Sequence, residues 1–431
     1  MKYLLIHSYS DFNKGDAAII ISTVRGIRDK DSSAEIMLYS TYGHKDPQFH
    51  EQHNILREYV DDVLPAIMPE LSMAIFGRRF YGTVAKFINL PYQLFKSLLT
   101  LVFRDNFLLS AEEKRSMKAF KETDLVISKG GSFLCSFGTI RELIVLYRML
   151  HPIFLAKSLS KRTIIFGQSL GPFNDFFSAY LFKQSLRCID YVYVREKYCL
   201  DLLCKANIQI NQLKLKHVPD LAFILETESK DIDIQNMINP GDHYTGMTIV
   251  DHNFSSPDLR MNYIEAVSNG IEHLVEHLDS NIIIYPQVIS VLPDGTEDLK
   301  LARKILATLS GRATEKVTIL DGNYTPGQLK GMYGEMNLFI ATRLHSSIFS
   351  TACRVPTINI SYHGTKSRGT FELIGMEHYV IDIESINRAT LVNKIIEITL
   401  KDDEVRRALD MNMKKIEMDI DSALSEVCLL A

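Results

Sequence analysis

Short apolar runs that alternate with helical patterns along the whole chain constrain its fold more than any other feature. In the first half, the spacing of apolar residues predicts strands at residues 3–7, 34–39, 125–128, 163–167 and 191–194. In the second half it predicts strands at residues 245–250, 281–285, 317–320, 338–341 and 357–361. Strands that alternate with helices are typical of βαβ units and of mainly parallel sheets. The sequence therefore predicts an α/β protein with two doubly wound domains.

The chain length and one polar segment predict where these domains begin and end. At 431 residues the chain is longer than one hydrophobic core usually serves. Residues 226–242 are polar, contain Asn-Pro-Gly at 239–241 and lack clear periodicity, so we interpret them as the interdomain linker. We expect one domain over 1–230, a second over 243–400, and an amphipathic helix over 402–424 that packs back on the first domain. The site would then lie in a cleft between the domains.

The charge and cysteine content exclude several classes of protein. The net charge of −4 offers no basic surface, so we expect no nucleic-acid partner. The six cysteines are scattered without C-x-x-C spacing, which favours buried thiols in a reducing compartment over a metal site. The apolar run at residues 3–6 is too short for the core of a signal peptide. We therefore predict a cytoplasmic protein.

The segment from residue 65 to about residue 110 is unusually rich in Ile, Leu, Phe and Met. The cations that interrupt it are Arg78, Arg79, Lys86, Lys96 and Arg104. It therefore lacks the run of roughly 20 apolar residues that a transmembrane helix needs. Two interpretations stay open: an amphipathic helical pair that lies on a membrane surface, or a helical insertion that packs on its own domain. Both are compatible with a lipid-linked substrate.

The most specific motif is Arg343-Leu344-His345, which follows the predicted strand 338–341 and opens a helical pattern. This order places Arg343, His345 and the N–H groups near Ser346 at the carboxyl end of a parallel sheet, where α/β proteins bind anions. Lys366 follows the next predicted strand, so three cationic groups could converge on a small multiply charged anion. In the alternative interpretation Arg343 pairs with a carboxylate and His345 only caps the helix.

A second polar motif, Asn13-Lys14-Gly15-Asp16, directly follows the first predicted strand. Gly15 permits a tight turn, and the N–H groups of the helix that begins here could face an anion or a sugar hydroxyl. Asp16 could instead be the helix N-cap, which is the usual role of Asp at such a position.

Glycines and one arginine follow other strands of the first domain. Gly130 and Gly131 follow the predicted strand 125–128 and allow a ligand to approach the backbone closely. Residues 167–172 are predicted to form a second loop, and Arg195 follows the predicted strand 191–194. Each feature is ordinary alone, but all are predicted at one rim of one sheet.

Together these segments resemble the polysaccharide pyruvyl transferase family. The resemblance runs through residues 13–16, 124–131, 167–172, Arg195, 218–220, 343–345 and 362–369. It covers most of the chain apart from the segment 65–110, and Ser132 stands where the family commonly has a third glycine. The resemblance implies two Rossmann-like domains in a glycosyltransferase-B-like arrangement, with the acceptor on the first domain and the donor on the second. It also implies that pyruvate moves from phosphoenolpyruvate onto a sugar, which forms a cyclic ketal and releases phosphate.

The resemblance assigns functional roles to Asp16, Arg195, His345 and Lys366. Phosphoenolpyruvate carries a carboxylate and a phosphate, so we expect cationic donors at Arg195, Arg343 and Lys366. Imidazole generally titrates near neutral pH, so we expect His345 to move protons and Asp16 to orient or deprotonate the acceptor hydroxyl. The remaining expected substrate-binding residues are Asn13, Gly15, Gly130, Gly131 and Ser346. The reaction requires no cofactor and no metal.

The expected partners are phosphoenolpyruvate and a sugar on a lipid-linked oligosaccharide, which would place the enzyme at the inner face of the plasma membrane in exopolysaccharide or capsule synthesis. The alternative is a nucleotide-sugar-dependent glycosyltransferase of the same fold, since Arg343, His345 and Lys366 could equally bind a diphosphate. A membrane scaffold without catalytic activity that uses residues 65–110 is a further alternative, but the polar groups at one sheet rim argue against it.

Overall fold

The computed structural model describes residues 1–69, 79–104, 108–228, 238–252, 254–288, 296–362 and 365–431, with the backbone alone for residues 79–88 and 365. The chain divides into two units. The first contains Met1–Asp11, Ile19–Leu221 and Asp419–Ala431, and the second contains Phe12–Ala18 and Ala222–Met418. The beginning of the first helix is thus grouped with the second unit. The predicted linker falls partly outside the described residues, because residues 229–237 are not among them.

The first unit is built on one parallel sheet of eight strands. The strands are β1 (Lys2–Ser8), β2 (Glu35–Ser40), β3 (Asp62–Leu64), β4 (Leu125–Ser128), β5 (Gly131–Ser136), β6 (Arg162–Phe173), β7 (Tyr191–Val194) and β8 (Leu215–His217). Their order is β3-β2-β1-β4-β6-β7-β8, and β5 pairs with the second half of β6. Leu4, Leu5 and Ile6 of the central strand β1 are fully buried, as expected for a parallel strand that helices cover on both faces.

Helices connect these strands along the chain. They are α1 (Lys14–Lys30), α2 (Pro47–Glu51), α3 (Arg79–Phe103), α4 (Ala111–Glu122), α5 (Ile140–Ser158), α6 (Phe176–Ser185) and α7 (Cys199–Lys205). Short 3₁₀ helices lie at Leu56–Glu58, Leu186–Cys188 and Leu221–Ile224. Capping boxes begin α4 and α5, where Ser110 and Thr139 satisfy N–H groups that would otherwise have no partner.

The second unit is built on a parallel sheet of six strands. The strands are β9 (Tyr244–Thr248), β10 (Asn281–Ile284), β11 (Val317–Ile319), β12 (Leu338–Ala341), β13 (Thr357–Ser361) and β14 (Val380–Asp382), in the order β11-β10-β9-β12-β13-β14. The helices are α8 (Pro257–Leu278), α9 (Glu297–Leu306), α10 (Gly311–Glu315), α11 (Pro326–Gly334), α12 (Leu344–Ala352), α13 (Thr365–Leu373), α14 (Arg388–Leu400) and α15 (Asp402–Leu430), and a 3₁₀ helix covers Glu377–Tyr379. Two parallel sheets with interleaved helices confirm the predicted α/β fold class.

The structure corrects the prediction for residues 167–172. They form the second half of β6 rather than a loop, and β5 pairs with them from Gly131 to Ser136. Gly167 and Gly171 interrupt the apolar alternation of the sequence, which is why the pattern suggested a turn. Leu170 and Phe173 nevertheless bury their side chains, and the strand continues through both glycines.

The structure also corrects part of the prediction for residues 65–110. The described part of this segment contains one long helix, α3, while residues 70–78, with Arg78 among them, lie outside the described residues, so the expectation of a helical pair stays a prediction. Lys96 does not face solvent, because its ammonium pairs with Glu113 at 2.6 Å and both side chains are more than nine-tenths buried. Across the described part of the chain, no helix has the length and apolarity that crossing a bilayer requires.

The C-terminal helix α15 is longer than predicted and ends at Leu430. Its last turns are grouped with the first unit, where Glu426 accepts hydrogen bonds from Tyr193 at 3.0 Å and from Lys216 at 2.7 Å. Its preceding turns are grouped with the second unit, where Glu417 pairs with Arg354 at 3.0 Å.

Candidate functional site

The motif at residues 13–16 forms the beginning of α1 and belongs to the second unit. The Asn13 Oδ1 atom accepts hydrogen bonds from the N–H groups of Gly15 at 3.2 Å and Asp16 at 3.4 Å. Asn13 is therefore the residue that caps α1, and the alternative that Asp16 caps this helix is wrong. The Asn13 Nδ2 atom donates to Asp16 Oδ2 at 2.7 Å, which orients the Asp16 carboxylate.

Gly15 brings this motif against the Arg343-Leu344-His345 motif. A Cβ atom added to Gly15 would fall 2.0 Å from Nδ1 and 2.1 Å from Cγ of His345. Contacts this short never occur between nonbonded atoms, so the imidazole can lie here only because position 15 has no side chain. Two motifs that stand more than three hundred positions apart in the sequence thus meet within one unit.

His345 is the second residue of α12 rather than its cap. The N-cap of α12 is Arg343, whose side chain makes no capping hydrogen bond. The alternative that His345 only caps the helix is therefore wrong. Its Nε2 atom is shielded from solvent, whereas the residue as a whole is half-buried.

Arg343 forms an ion pair with Asp298, in the first turn of α9. The Arg343 Nε atom donates to Asp298 Oδ2 at 2.9 Å, and Nη2 donates to the same oxygen. Burial alone would lower the pKa of Arg343, but Tyr362 and Asp298 raise it. The expectation that Arg343 could pair with a carboxylate is thus correct. About a quarter of the side chain (23%) stays exposed.

Asp298 belongs to a longer polar network in the second unit. Its Oδ1 atom accepts a hydrogen bond from the Asp251 N–H at 2.9 Å. The Asp251 carboxylate in turn holds Arg260 through two hydrogen bonds of 3.0 and 2.9 Å. The two arginines and two carboxylates therefore balance in charge within this network.

Lys366 is the second residue of α13 and is half-buried. β12 and β13 are parallel neighbours, with Ala341 opposite Asn359, so Arg343 and Lys366 follow two strands that end at the same sheet edge. Ser346 differs from its expected role. Its hydroxyl is buried against Thr248 Oγ1 at 2.7 Å, and its N–H donates to the Arg343 carbonyl at 3.1 Å. Ser346 therefore stabilises the turn rather than offering an N–H to an anion.

The structure adds polar residues that sequence reasoning missed. Lys14 is fully buried, and its ammonium donates to Asn323 Oδ1 at 2.9 Å. Gln287 is buried beside the same motif, where its carbonyl accepts the Lys14 N–H at 3.4 Å. The Gln287 Nε2 donor makes no hydrogen bond within the described residues. The sequence held one signal for this set, because a lysine in the first turn of a helix, where carboxylates are favoured, is unusually placed.

Arg195 is part of a closed network in the first unit. Its guanidinium donates to Glu196 at 2.5 Å, Asp220 at 2.6 Å and the Ser169 hydroxyl at 2.7 Å. The side chain is 3% exposed, and although burial alone would lower its pKa, Glu196 and Asp220 raise it. The expectation that Arg195 binds the donor is therefore not supported, because every side of its guanidinium is engaged and two carboxylates neutralise its charge.

Gly130 and Gly131 serve the packing of the first sheet. A Cβ atom on Gly130 would fall 2.7 Å from the carbonyl oxygen of Gly167, so this position needs glycine for the close approach of β4 and β6. Gly131 opens β5 with a φ of 147°. No ligand contact is needed to explain either glycine.

Three histidines are buried in the first unit. Burial lowers the pKa of His7 to about 3 and those of His53 and His151 to about 4. His7 is held by the Ser128 hydroxyl at 2.9 Å and the Met149 carbonyl at 2.5 Å. His7 and His151 line one small cavity with Arg148. Within the described residues, no three His, Cys, Asp or Glu side chains are grouped closely enough to hold a metal ion.

Similar proteins of known fold share the architecture described above. A UDP-GlcNAc 2-epimerase from Methanocaldococcus jannaschii superposes with a TM-score of 0.54 at 14% identity, covering 92% of each chain. A UDP-glucosyltransferase from Polygonum tinctorium superposes with a TM-score of 0.59 at 10% identity, covering 100% of this chain and 98% of that one. At these identities the likeness concerns the fold alone.

Sequence relatives are more specific. The amylovoran biosynthesis protein AmsJ of Erwinia amylovora is 22% identical over 422 residues, which cover 92% of this chain and 91% of the relative. The family model described as polysaccharide pyruvyl transferase matches residues 13–364, a span that includes both motifs that meet at Gly15 and His345. The chain therefore belongs to the polysaccharide pyruvyl transferase family.

Proposed function

We propose that this pyruvyl transferase uses phosphoenolpyruvate as its donor, forms a cyclic ketal on a sugar and releases phosphate. The observation that carries the proposal is the contact between Gly15 and the His345 ring, which joins two motifs of the matched family in one place. An imidazole, the oriented Asp16 carboxylate and the Arg343 guanidinium are the groups that such a reaction needs.

The chemistry assigns a separate step to each group. The methylene carbon of phosphoenolpyruvate takes up a proton, a sugar hydroxyl adds to the central carbon, and the carbon–oxygen bond to phosphate breaks. A second hydroxyl of the same sugar then adds to that carbon and closes the ring. The two hydroxyls lose two protons in all, which balance the proton gained by the methylene carbon and the one taken up by the released phosphate. His345 is the proposed proton donor to the methylene carbon, and Asp16 the proposed acceptor of the first hydroxyl proton.

Arg343 and Lys366 are the proposed donor ligands, since both follow strands that end at one edge of the second sheet. A guanidinium suits a carboxylate or phosphate through paired hydrogen bonds, and an ammonium acts as a point charge. Asp298 already occupies one side of Arg343, so the donor would have to bind its exposed part or displace this carboxylate. Arg195 has no part in this set.

The proposed acceptor is a lipid-linked sugar at the inner face of the plasma membrane. The family is described by its polysaccharide substrates and the relative AmsJ is named for amylovoran biosynthesis, which together support a polysaccharide precursor as acceptor. The described part of α3 also exposes apolar side chains that suit a lipid environment. The fold that this chain shares with nucleotide-sugar enzymes does not favour a glycosyltransferase, because very different reactions use it.

Titration calorimetry with phosphoenolpyruvate tests the donor assignment. Arg343→Ala and Lys366→Ala should each weaken binding by about tenfold or more, because a lost charge-assisted contact costs roughly 1.5–3 kcal/mol. Asp298→Asn removes the competing negative charge, so it should strengthen binding. Arg312→Ala is the matched control, because this arginine pairs with Asp279 in the same unit and no role is assigned to it. Unchanged titrations for both alanine variants would remove the donor assignment.

A further inference from the structure

Helix α3 is amphipathic, but its polar side faces the protein and its apolar side faces solvent. Among its described side chains, Gln93, Lys96, Ser97 and Thr100 are buried. Phe95, Leu98, Val102 and Phe103 are all more than half exposed, and Val102 reaches 70%. At 100° per residue Phe95, Leu98 and Val102 lie on the side opposite the buried set, and Phe103 is exposed in the last turn of the helix. A helix that packs on a water-soluble domain has the opposite arrangement, with its apolar side facing the core.

Specific contacts hold the polar side of α3 against the first unit. The Lys96 ammonium pairs with Glu113 at 2.6 Å, and the Ser97 hydroxyl lies 3.0 Å from the Tyr147 hydroxyl of α5. Turning the helix over would bury its apolar side chains but would expose this ion pair and break both contacts. The outward direction of the apolar side is therefore built into the sequence of the helix.

Neighbouring helices extend the exposed apolar area. α5 contacts both α3 and α6. The segments that lead into α5 and α6 lie together, because the Asn174 N–H donates to the Ser136 carbonyl at 3.0 Å. The exposed apolar side chains of the three helices and these segments are Tyr92, Phe95, Leu98, Val102, Phe103, Phe137, Ile140, Val145, Phe176, Phe177 and Tyr180, which we call the apolar helix surface. The apolar helix surface includes every exposed phenylalanine among the described residues. Exposed phenylalanines are therefore concentrated there rather than spread over the described part of the protein.

The charges around this surface indicate what covers it. Residues 79–104 and 176–187 contain no Asp or Glu, and the exposed cations on these helices and on α5 are Arg104, Arg141, Lys183 and Arg187. The surface also holds two carboxylates, Glu142 and Asp175, which take part in the caps of α5 and α6. Exposed aromatic side chains flanked by more cations than carboxylates suit the interface of an anionic bilayer. A water-soluble protein rarely leaves so large an apolar area open to solvent.

We propose that the apolar helix surface docks the first unit onto an anionic membrane leaflet, with the aromatic side chains of α3 and α6 inserted between lipid headgroups. The docking proposal rests on the proposed function in one respect: that function explains why the enzyme would need access to a lipid-linked acceptor. Its physical argument uses no residue of the donor site. Lys96 takes no part in lipid binding, because it is buried in the ion pair with Glu113.

Vesicle flotation of the full chain tests the proposal. The vesicles contain phosphatidylcholine with phosphatidylglycerol in equal parts, or phosphatidylcholine alone. The triple variant Phe95→Ser, Phe176→Ser, Phe177→Ser should bind the anionic vesicles at least about tenfold more weakly than the unaltered chain, because it removes three large aromatic side chains of the inserted surface. The matched control Leu213→Ser, Leu400→Ser, Met418→Ser removes equally exposed apolar side chains elsewhere and should bind as the unaltered chain does.

Urea unfolding of both triple variants checks that their fold is retained, and all six positions are exposed. The proposal is overturned if the unaltered chain does not float with anionic vesicles, or if the surface variant floats equally well. It is also overturned if the unaltered chain sediments as a dimer that only the surface variant dissociates, since a second copy then covers the surface. An assay of pyruvyl transfer to a water-soluble acceptor distinguishes the two proposals. If only the docking proposal is wrong, this activity is still observed, whereas it is absent if the proposed reaction is wrong.

Discussion

Replacing Gly15 with alanine tests the contact on which the proposed function depends. The new Cβ atom would fall 2.0 Å from the His345 Nδ1 atom, whereas nonbonded heavy atoms pack at about 3.5–4 Å. The ring, or the beginning of α1, must therefore shift by roughly 1.5 Å. A shift of about 1 Å in a catalytic group can cost about 100-fold in rate, so we expect a loss of at least that size in turnover.

The same change should also lower stability. Overpacking a well-filled site costs about 1–3 kcal/mol, and alanine returns up to about 1 kcal/mol of helix propensity. The expected net loss in the free energy of unfolding is thus about 1–2 kcal/mol, measured by urea denaturation. Gly311→Ala is the matched control, because Gly311 also lies in the first turn of a helix and no atom lies within 4 Å of its added Cβ.

A double-mutant cycle separates the ring contact from other effects of the substitution. In a His345→Ala background, Gly15→Ala should cost less, because the two nearest ring atoms are gone, although the Cβ atom of residue 345 stays at 2.7 Å. We expect the two changes to couple by about 1 kcal/mol. The reasoning is refuted if Gly15→Ala is as stable and active as Gly311→Ala, or if the two changes in the cycle are additive.

Two further predictions follow from individual side chains. His345→Ala should lower turnover by about 10²–10⁴-fold, while His345→Gln should retain phosphoenolpyruvate affinity without restoring the rate, as single-turnover kinetics would report; a nearly active Gln variant would make His345 structural. The first unit should lose stability as the pH falls from 6.5 towards 4, because the lowered pKa values of His7, His53 and His151 mean that the folded state binds fewer protons than the unfolded state. The contribution of these three histidines to the free energy of unfolding is complete above pH 6.5. Below pH 6.5 it declines by about 1.4 kcal/mol per histidine per pH unit. Urea unfolding across this range should show a shallower slope for His151→Gln, and an unchanged slope for the exposed control His50→Gln.

The parallel sheets could be predicted because their signal is local. Apolar runs such as Leu4–Ile6 and Leu338–Ala341 reveal buried strands within a few residues, and the Arg343-Leu344-His345 motif could be placed after β12 for the same reason. The extension of β6 through Gly167 and Gly171 could not, since its pairing with the distant strands β5 and β7 keeps these glycines in a strand.

The partners of the charged residues could not be predicted, because they lie far away in the sequence. Arg343 and Arg195 looked alike as cations at strand ends. Asp298 stands 45 positions from Arg343 and leaves part of the Arg343 side chain exposed, whereas Asp220 helps to bury Arg195 almost completely. Lys96 was grouped with surface cations for the same reason, and only the fold brings Glu113 to it.

The proposed reaction is tested most directly by the mass of its product. Candidate lipid-linked oligosaccharides are incubated with the enzyme and with phosphoenolpyruvate labelled with carbon-13, and released phosphate is measured in the same samples. The account predicts that one oligosaccharide gains the mass of labelled pyruvate less one water, with one phosphate released for each product. An acceptor that stays unchanged with phosphoenolpyruvate, but gains a sugar and releases a nucleoside diphosphate when a nucleotide sugar is supplied, would contradict it.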